Sequence, residues 1–354
     1  MDAHEDIAFN ALHGDRDVRR STAEQRAREA RQPTTGSDSP VTNLDDTVMI
    51  GLPDLKRGGV GLVCSTIFTL PGEQNIVTAD AWSQARYYHD LAAGTDVTGV
   101  RLISTRSDLE SLTRDFDAAT TPDARPTGFL LLMEGADPIR EPAELEQWYD
   151  AGLRVIGPTW RGSRYCGGTG SPGGFTDIGR ALLDEMARLG MVLDFSHMAD
   201  DAVWEALERY PGPIIASHTN CRKYTPTDRH FTDEQIKAII ARDGVIGVVL
   251  HNSFLDPQWT RGAPPLQLDV VVRHLDRVCQ LAGDARHSGI GSDFDGGAGV
   301  QSTPAPFDTV ADLARIADAL RDHGYTSADI TGIMGGNFVR AFTSALPAEG
   351  AKQR

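Results

Sequence analysis

Short apolar runs rich in β-branched residues alternate along the chain with stretches whose apolar positions recur every three or four residues. The runs fall at Ile7–Asn10, Gly59–Leu70, Gly128–Met133, Leu153–Pro158, Met191–Phe195, Pro213–Ser217, Val245–Leu250 and Ser288–Ser292, and predict strands. Helix-period stretches lie between them at Pro142–Ala151, Asp177–Leu189, Asp200–Tyr210, Asp233–Arg242 and Leu268–Leu281. Several open on Asp or Thr, as helix N-caps do. Near-continuous apolar strands separated by helices imply a parallel sheet covered on both faces. Eight strands over about 300 residues predict an α/β fold of the (β/α)8 TIM type rather than a doubly wound sheet. No Gly-rich dinucleotide fingerprint or P-loop follows any strand, which argues against a nucleotide-binding fold.

One segment breaks the alternation. From about residue 14 to residue 46 the chain is charged and then rich in Thr, Ser, Gly and Pro. It reads as a polar, lid-like surface excursion after the first strand, within one barrel domain spanning residues 1–354. Ser21-Thr22-Ala23-Glu24 carries the pattern of a capping box and predicts a short polar helix there. Residues 346–354 read as a polar tail.

Composition narrows the function. The 354 residues carry 34 Lys+Arg against 50 Asp+Glu, a net charge of −16, which disfavours nucleic acid as a partner. No apolar run approaches the ~20 residues of a membrane span, and the first residues form no secretory signal. Four scattered cysteines, with no CxxC among them, do not make a disulfide scaffold. The expectation is a cytoplasmic protein without membrane attachment.

In a barrel enzyme the chemistry sits where strands give way to loops. The first strand region holds His4-Glu5-Asp6, and period 2 puts His4 and Asp6 on one face. The third ends at Glu134, the fifth at Asp194-Phe195-Ser196-His197, the sixth at Ser217-His218 and the eighth at Asp293-Phe294-Asp295. Three histidines and several carboxylates thus converge on one rim, where charged groups need a partner or a metal. Imidazole and carboxylate without thiolate suit Zn²⁺, with Mn²⁺, Co²⁺ or Fe²⁺ as alternatives. Five candidate ligands exceed what one catalytic ion takes, so two divalent ions are expected. Glu134 is the natural bridge between them, since its strand lies between the His4 strand and the two-histidine strands.

These residues resemble the membrane dipeptidase (renal dipeptidase) family of binuclear zinc peptidases, which are amidohydrolase-like barrels. The resemblance runs in order along nearly the whole chain. It takes in His4/Asp6, Met133-Glu134-Gly135, Gly152-Leu153-Arg154, Phe175-Thr176-Asp177-Ile178-Gly179 and Gly190 to His197. It continues through Ala216-Ser217-His218, Gly291 to Gly296 and Gly335-Gly336-Asn337. It implies that His4, Asp6 and Glu134 hold one zinc, and Glu134, His197 and His218 the other. It implies Asp293 as the proton-transfer carboxylate, working with a hydroxide shared by the two ions. It also implies Arg229, matched by its spacing from His218, as the anchor for a substrate carboxylate. A planar guanidinium suits that task. The alternative for Arg229 is a surface side chain paired with Asp228.

The chain departs from the family in two places. Dipeptidases carry a carbonyl-polarising histidine after the fourth strand, where this sequence reads Gly157-Pro158-Thr159-Trp160. A tyrosine expected after the seventh strand aligns with Phe254. His251, which ends that strand, faces the same mouth or serves structure. The glycine-rich segment Arg161–Gly174 is expected to line the entrance beside Trp160. The resemblance therefore implies hydrolysis of an amide bond in a small, dipeptide-like substrate bearing a carboxylate. A hydrolase or lyase acting on a lactone or a modified amino-acid conjugate is the alternative, and a non-catalytic ligand-binding barrel a further one. Related barrels pair through outer helices, which leaves a homodimer open.

Overall fold

The computed structural model describes residues 1–31, 46–94 and 99–348. Eight parallel strands follow one another around a barrel: β1 (Asp2–Glu5), β2 (Leu62–Phe68), β3 (Thr127–Glu134), β4 (Leu153–Gly157), β5 (Val192–Asp194), β6 (Ile214–Thr219), β7 (Val245–Val248) and β8 (Ser288–Ile290). A ninth, short strand, Val100–Leu102, pairs with the first residues of β3. The longest register runs from Leu62 opposite Gly128 to Phe68 opposite Glu134. The barrel comes together where β8 reaches β1: the Asp293 N–H donates to the His4 carbonyl at 3.2 Å. Beside it the Asp2 carboxylate accepts the Ser292 N–H at 2.7 Å.

Alternation along the strands sorts side chains into two cores. Ala3, Leu62, Cys64, Leu130, Leu132, Val155, Val192, Ile215 and Val245 come from seven strands and meet inside the barrel. Their neighbours Val63, Leu131, Met133, Ile156, Leu193, Ala216 and Ile246 face the helices. Period 2 places Glu134 on the same face as Leu130 and Leu132, so it rises from the inner core into the barrel mouth.

The outer helices follow from their apolar stripes. Asp177–Leu189 buries Leu182, Leu183, Met186 and Leu189, spaced for one helix face. The Thr176 hydroxyl accepts the Gly179 N–H at its start. Gly190 ends it at φ 67, a left-handed conformation that glycine adopts without a Cβ clash. Leu268–Ala282 buries Val271, Val272, Leu275, Val278 and Cys279 in the same manner. All four cysteines are buried and unpaired.

One predicted strand is corrected. Ile7–Asn10 belongs to a helix, Ile7–Gly14, and the strand is the preceding Asp2–Glu5. A four-residue apolar run fits either element, and burial of Ile7, Ala8, Phe9 and Asn10 together hides the helical period. This helix lies across the rim, where Phe9 meets Phe68 edge-on at 5.4 Å and the Ala8 N–H donates to the Tyr88 hydroxyl.

The polar excursion begins as expected, with the Ser21/Glu24 capping box opening a helix over Thr22–Glu29. Residues 32–45 and 349–354 lie outside the described residues, and with them the Thr-, Ser-, Gly- and Pro-rich part of the predicted lid and most of the predicted tail. Where the chain returns, both Asp295 carboxylate oxygens accept the Met49 N–H, and one accepts the Ile50 N–H. Asp295 therefore clasps the returning segment to the rim rather than capping its own turn. Among the described residues, no helix is long and apolar enough to cross a membrane.

Candidate metal centre and substrate pocket

Of the polar residues singled out at strand ends, Asp6, Glu134, His197, His218 and Asp293 line the barrel mouth, with His4 buried beside Glu134. The Glu134 carboxylate stands at the centre and divides its two oxygens. Oε2 lies 3.6 Å from His4 Nε2. Oε1 lies 3.0 Å from His197 Nε2 and 3.4 Å from His218 Nε2. Two groups of candidate ligands result, His4–Asp6–Glu134 and Glu134–His197–His218, each with ligand atoms within 4.8 Å of one another. A third grouping, His4–His218–Asp293, meets the same limit. Asp293 Oδ1 stands 3.9 Å from His4 Nε2.

The donors fit divalent cations. His4 Nε2 and Asp6 Oδ1 are buried without a hydrogen-bond partner, although a buried polar atom ordinarily has one. His197 and Asp293 are among the few non-glycine residues with positive φ, at 67° and 59°. Such backbone costs about 1–3 kcal/mol and is tolerated where a side chain must point in one direction.

Charge within the cluster follows from burial and proximity. Burial opposes a proton on His4, but the Glu134, Asp6 and Asp293 carboxylates outweigh it and raise its pKa to about 10. Burial likewise opposes charge on Glu134, yet His4 and His197 hold its carboxyl well below the usual range. Burial, with Arg229 nearby, lowers His197 to about 4, and burial with His4 and Arg229 puts His218 well below its ordinary value. Asp293 is held well above the usual carboxylate range by burial and by Asp6 and Glu134. Ligands that are already neutral imidazoles or carboxylates accept a cation without losing a proton first.

A cavity of about 280 Å³ opens above the cluster, lined by Asp6, Glu134, His197, His218 and Asp293 together with Phe9, Phe68, Trp160, Arg229, His251 and Phe254. Arg229 is 4% exposed. It donates through Nη2 to the His218 carbonyl at 2.7 Å, while Nε and Nη1 have no partner. Asp228 instead accepts the Gly170 N–H, so the surface-pair alternative for Arg229 does not hold. Phe254, in the place of the expected tyrosine, lies under the guanidinium with the ring centre 5.5 Å away.

Trp160 is half-buried, edge-on to Phe68 at 5.2 Å and covered by the Arg161 guanidinium at 4.6 Å. Behind it lies a second cavity of about 230 Å³ that also reaches Glu134 and includes Gln74, Asp137 and Arg164. The indole thus stands between two compartments. His251 lines the first, its Nδ1 engaged by the Ser253 N–H and hydroxyl at 3.2 and 2.8 Å. Burial lowers its pKa to about 4, so it is neutral with its proton on Nε2.

The glycine-rich segment forms a hairpin, Cys166–Gly168 with Ser171–Phe175. At its turn the Thr169 N–H donates to the Trp160 carbonyl at 3.1 Å, and its hydroxyl lies 3.1 Å from His197 Nδ1. Reading strand ends alone missed Thr169, because the contact arises from a loop folding back. It also missed Phe9 and Phe68, which read only as core.

A parallel barrel with histidines and carboxylates gathered at the C-terminal ends of its strands defines a metal-dependent hydrolase. The comparisons make the class specific. The family model for membrane dipeptidase, peptidase family M19, matches residues 2–353, and the chain belongs to that family. The dipeptidase AC, a metallopeptidase of family M19, is similar in structure with a TM-score of 0.78 at 25% identity, covering 98% of each chain. A metallopeptidase from Rhodobacter sphaeroides, solved with a phosphinate mimic of the dipeptide L-Ala-D-Ala, has a TM-score of 0.77 at 24% identity, again over 98% of each chain. In sequence, an uncharacterized protein in the pqqA 5′ region of Klebsiella pneumoniae is 34% identical over 209 residues, which is 56% of this chain and 75% of that protein. The chain is a metal-dependent, dipeptidase-like hydrolase.

Proposed function

We propose that the protein holds two zinc ions and cleaves the amide bond of a small, dipeptide-like substrate bearing a free carboxylate. The observation that carries this reading is the split of the Glu134 carboxylate, with one oxygen toward His4 and the other toward His197 and His218. His4, Asp6 and Glu134 would hold one ion, and Glu134, His197 and His218 the other. Ions in such a pair acidify water and polarise a carbonyl. Arg229 would bind the substrate carboxylate through the Nε and Nη1 donors that the protein leaves without partners. Asp293, beside His4 at the mouth, would take the proton of the attacking water and return it to the leaving amine. His251 presents an Nε2–H donor toward the same cavity.

Metal analysis with activity measurement tests the proposal. Reconstituted protein should approach two zinc equivalents, and Glu134→Ala should weaken both sites because each uses that carboxylate. A wild-type stoichiometry firmly at one would refute the binuclear reading.

A specific observation favours a second reading. Trp160, Phe9 and Phe68 form an aromatic wall where dipeptidases place a histidine. The substrate would then be an acylated amino acid or a lactone whose bulky group stacks on the indole. A panel of dipeptides, acylated amino acids and lactones distinguishes the two by relative kcat/KM.

A further inference from the structure

His218 contributes one ring nitrogen to the cluster at Glu134, and its other ring nitrogen meets a buried polar network that no step above uses. Ser217 Oγ is its hub. It lies 2.5 Å from Asp194 Oδ2, 2.8 Å from His218 Nδ1, 3.2 Å from Ser196 Oγ and 3.4 Å from His4 Nδ1. The other Asp194 oxygen accepts the backbone N–H groups of Ser196 and Ser217 at 3.0 and 2.8 Å. Ser196 Oγ accepts the His218 N–H at 3.0 Å. Asp194, Ser196 and Ser217 are all within 2% of full burial. Three groups, from the ends of β5 and β6, are thus tied to the backbone and to one another beneath the metal cluster.

A hydroxyl has a single proton. In this network the nearest acceptor for the Ser217 proton is the Asp194 carboxylate, and a charge-assisted O–H···O⁻ bond is the stronger one. The lone pairs of Ser217 Oγ are then left to accept, and the His218 ring meets them at 2.8 Å. Nδ1 therefore carries the proton, and Nε2, which faces Glu134 Oε1 and His197 Nε2, is bare.

We propose that Asp194 and Ser217 are positioning residues: acting in series, they fix the tautomer of His218 and so set the metal affinity of the Glu134–His197–His218 half of the centre. The pair is a carboxylate–hydroxyl–imidazole relay in place of the direct carboxylate–imidazole bond of many zinc sites. This inference rests on the metal centre proposed above.

The test uses the full-length chain and zinc alone as probe. Chelator competition gives the two zinc affinities, and ¹⁵N–¹H correlation of the imidazoles in the metal-free protein gives the tautomer. Ser217→Ala should lower one zinc affinity by about 10- to 100-fold, the range for loss of such supporting partners. Ser217→Thr, which restores a hydroxyl, should recover most of it. Asp194→Asn makes the sharper prediction. The new amide would donate to Ser217 Oγ and turn its proton toward His218 Nδ1, moving the ring proton to Nε2, where it opposes a cation. Asp194→Asn should therefore weaken that site more than Ser217→Ala does, and the correlation spectrum should show the exchanged tautomer. A merely structural role predicts neither the tautomer change nor that order. If wild type binds two zinc ions and the variants bind both unchanged, or if wild-type His218 carries its proton on Nε2, the inference is overturned. If wild type binds only one ion, the binuclear proposal has failed instead. Where Ser217→Ala does not fold, the Asp194→Asn spectrum decides alone, since that substitution keeps the shape of the side chain.

Discussion

Asp293 and Asp295 sit two residues apart and share positive φ, but Asp295 is buried while Asp293 is partly exposed, and they face different tasks. Asp293 opens on the cavity, whereas Asp295 holds the Met49 and Ile50 N–H groups. Asp293→Asn should lower kcat by orders of magnitude with metal retained, measured by turnover beside elemental analysis. A larger loss in Asp295→Asn would overturn the proton-transfer role of Asp293. Arg229 supplies a second prediction. Removing a charge-assisted pair from a largely desolvated site costs about 2–4 kcal/mol, roughly 30- to 1000-fold in kcat/KM. Arg229→Ala should therefore erase the preference for a free-acid substrate over its C-terminal amide, and equal discrimination in both proteins would exclude the role. A third concerns Trp160. Simple dipeptides should be turned over below about 10⁴ M⁻¹s⁻¹, and Trp160→His should raise that value. Fast dipeptide cleavage by wild type, reduced in Trp160→His, would show that the missing histidine's task is met by other groups.

At the scale of elements, the rim is a set of clasps. Asp295 binds the segment returning from the polar excursion, and Arg26 of the Thr22–Glu29 helix donates to the Val48 carbonyl and pairs with Asp308. Asp295→Ala leaves two buried N–H groups unsatisfied and should destabilise the fold by about 1–3 kcal/mol. Hydrogen exchange should quicken at Met49 and Ile50 while the content of bound metal stays constant. The same scale shows what the sequence could reveal. The gathering of His4, Glu134, His197, His218 and Asp293 was legible because the strand-end rule acts within one strand at a time, whereas Asp6 joins them as the N-cap of the Ile7–Gly14 helix rather than by the period of a strand that ends at Glu5. Seven of eight strands followed from apolar runs, and the first did not, because Ile7–Asn10 is buried on every side and carries no period. The Asp194–Ser217 network depends on register between strands, and the unpaired Arg229 donors and the Thr169–His197 contact on loops folding back over the rim. Such contacts have no local signature. Trp160 was visible as a departure, but not as a partition between two cavities.

For the whole molecule, proton and metal binding are linked. Between pH 7 and 9 the metal-free protein keeps His4 protonated beside Glu134, since its pKa stands near 10, while His197, near 4, is neutral. A cation at the His4 side must displace that proton, so its affinity should rise with pH across this window. Calorimetry in buffers of different ionisation enthalpy should record about one proton released on filling that side and none on filling the other. Equal release at both would contradict the charge assignment. Metal should also raise thermal stability with free-ion concentration, since the folded state alone assembles the ligands.

The meeting of β8 with β1 has a consequence for biosynthesis. His4 leaves the ribosome 289 residues ahead of Asp293, whose N–H joins the His4 carbonyl. At typical elongation rates of about 5–20 residues per second, the earliest ligands wait roughly 15–60 seconds for the last strand beside them. The barrel that holds these ligands closes only once β8 has been made, so a divalent cation is expected to load onto the completed chain.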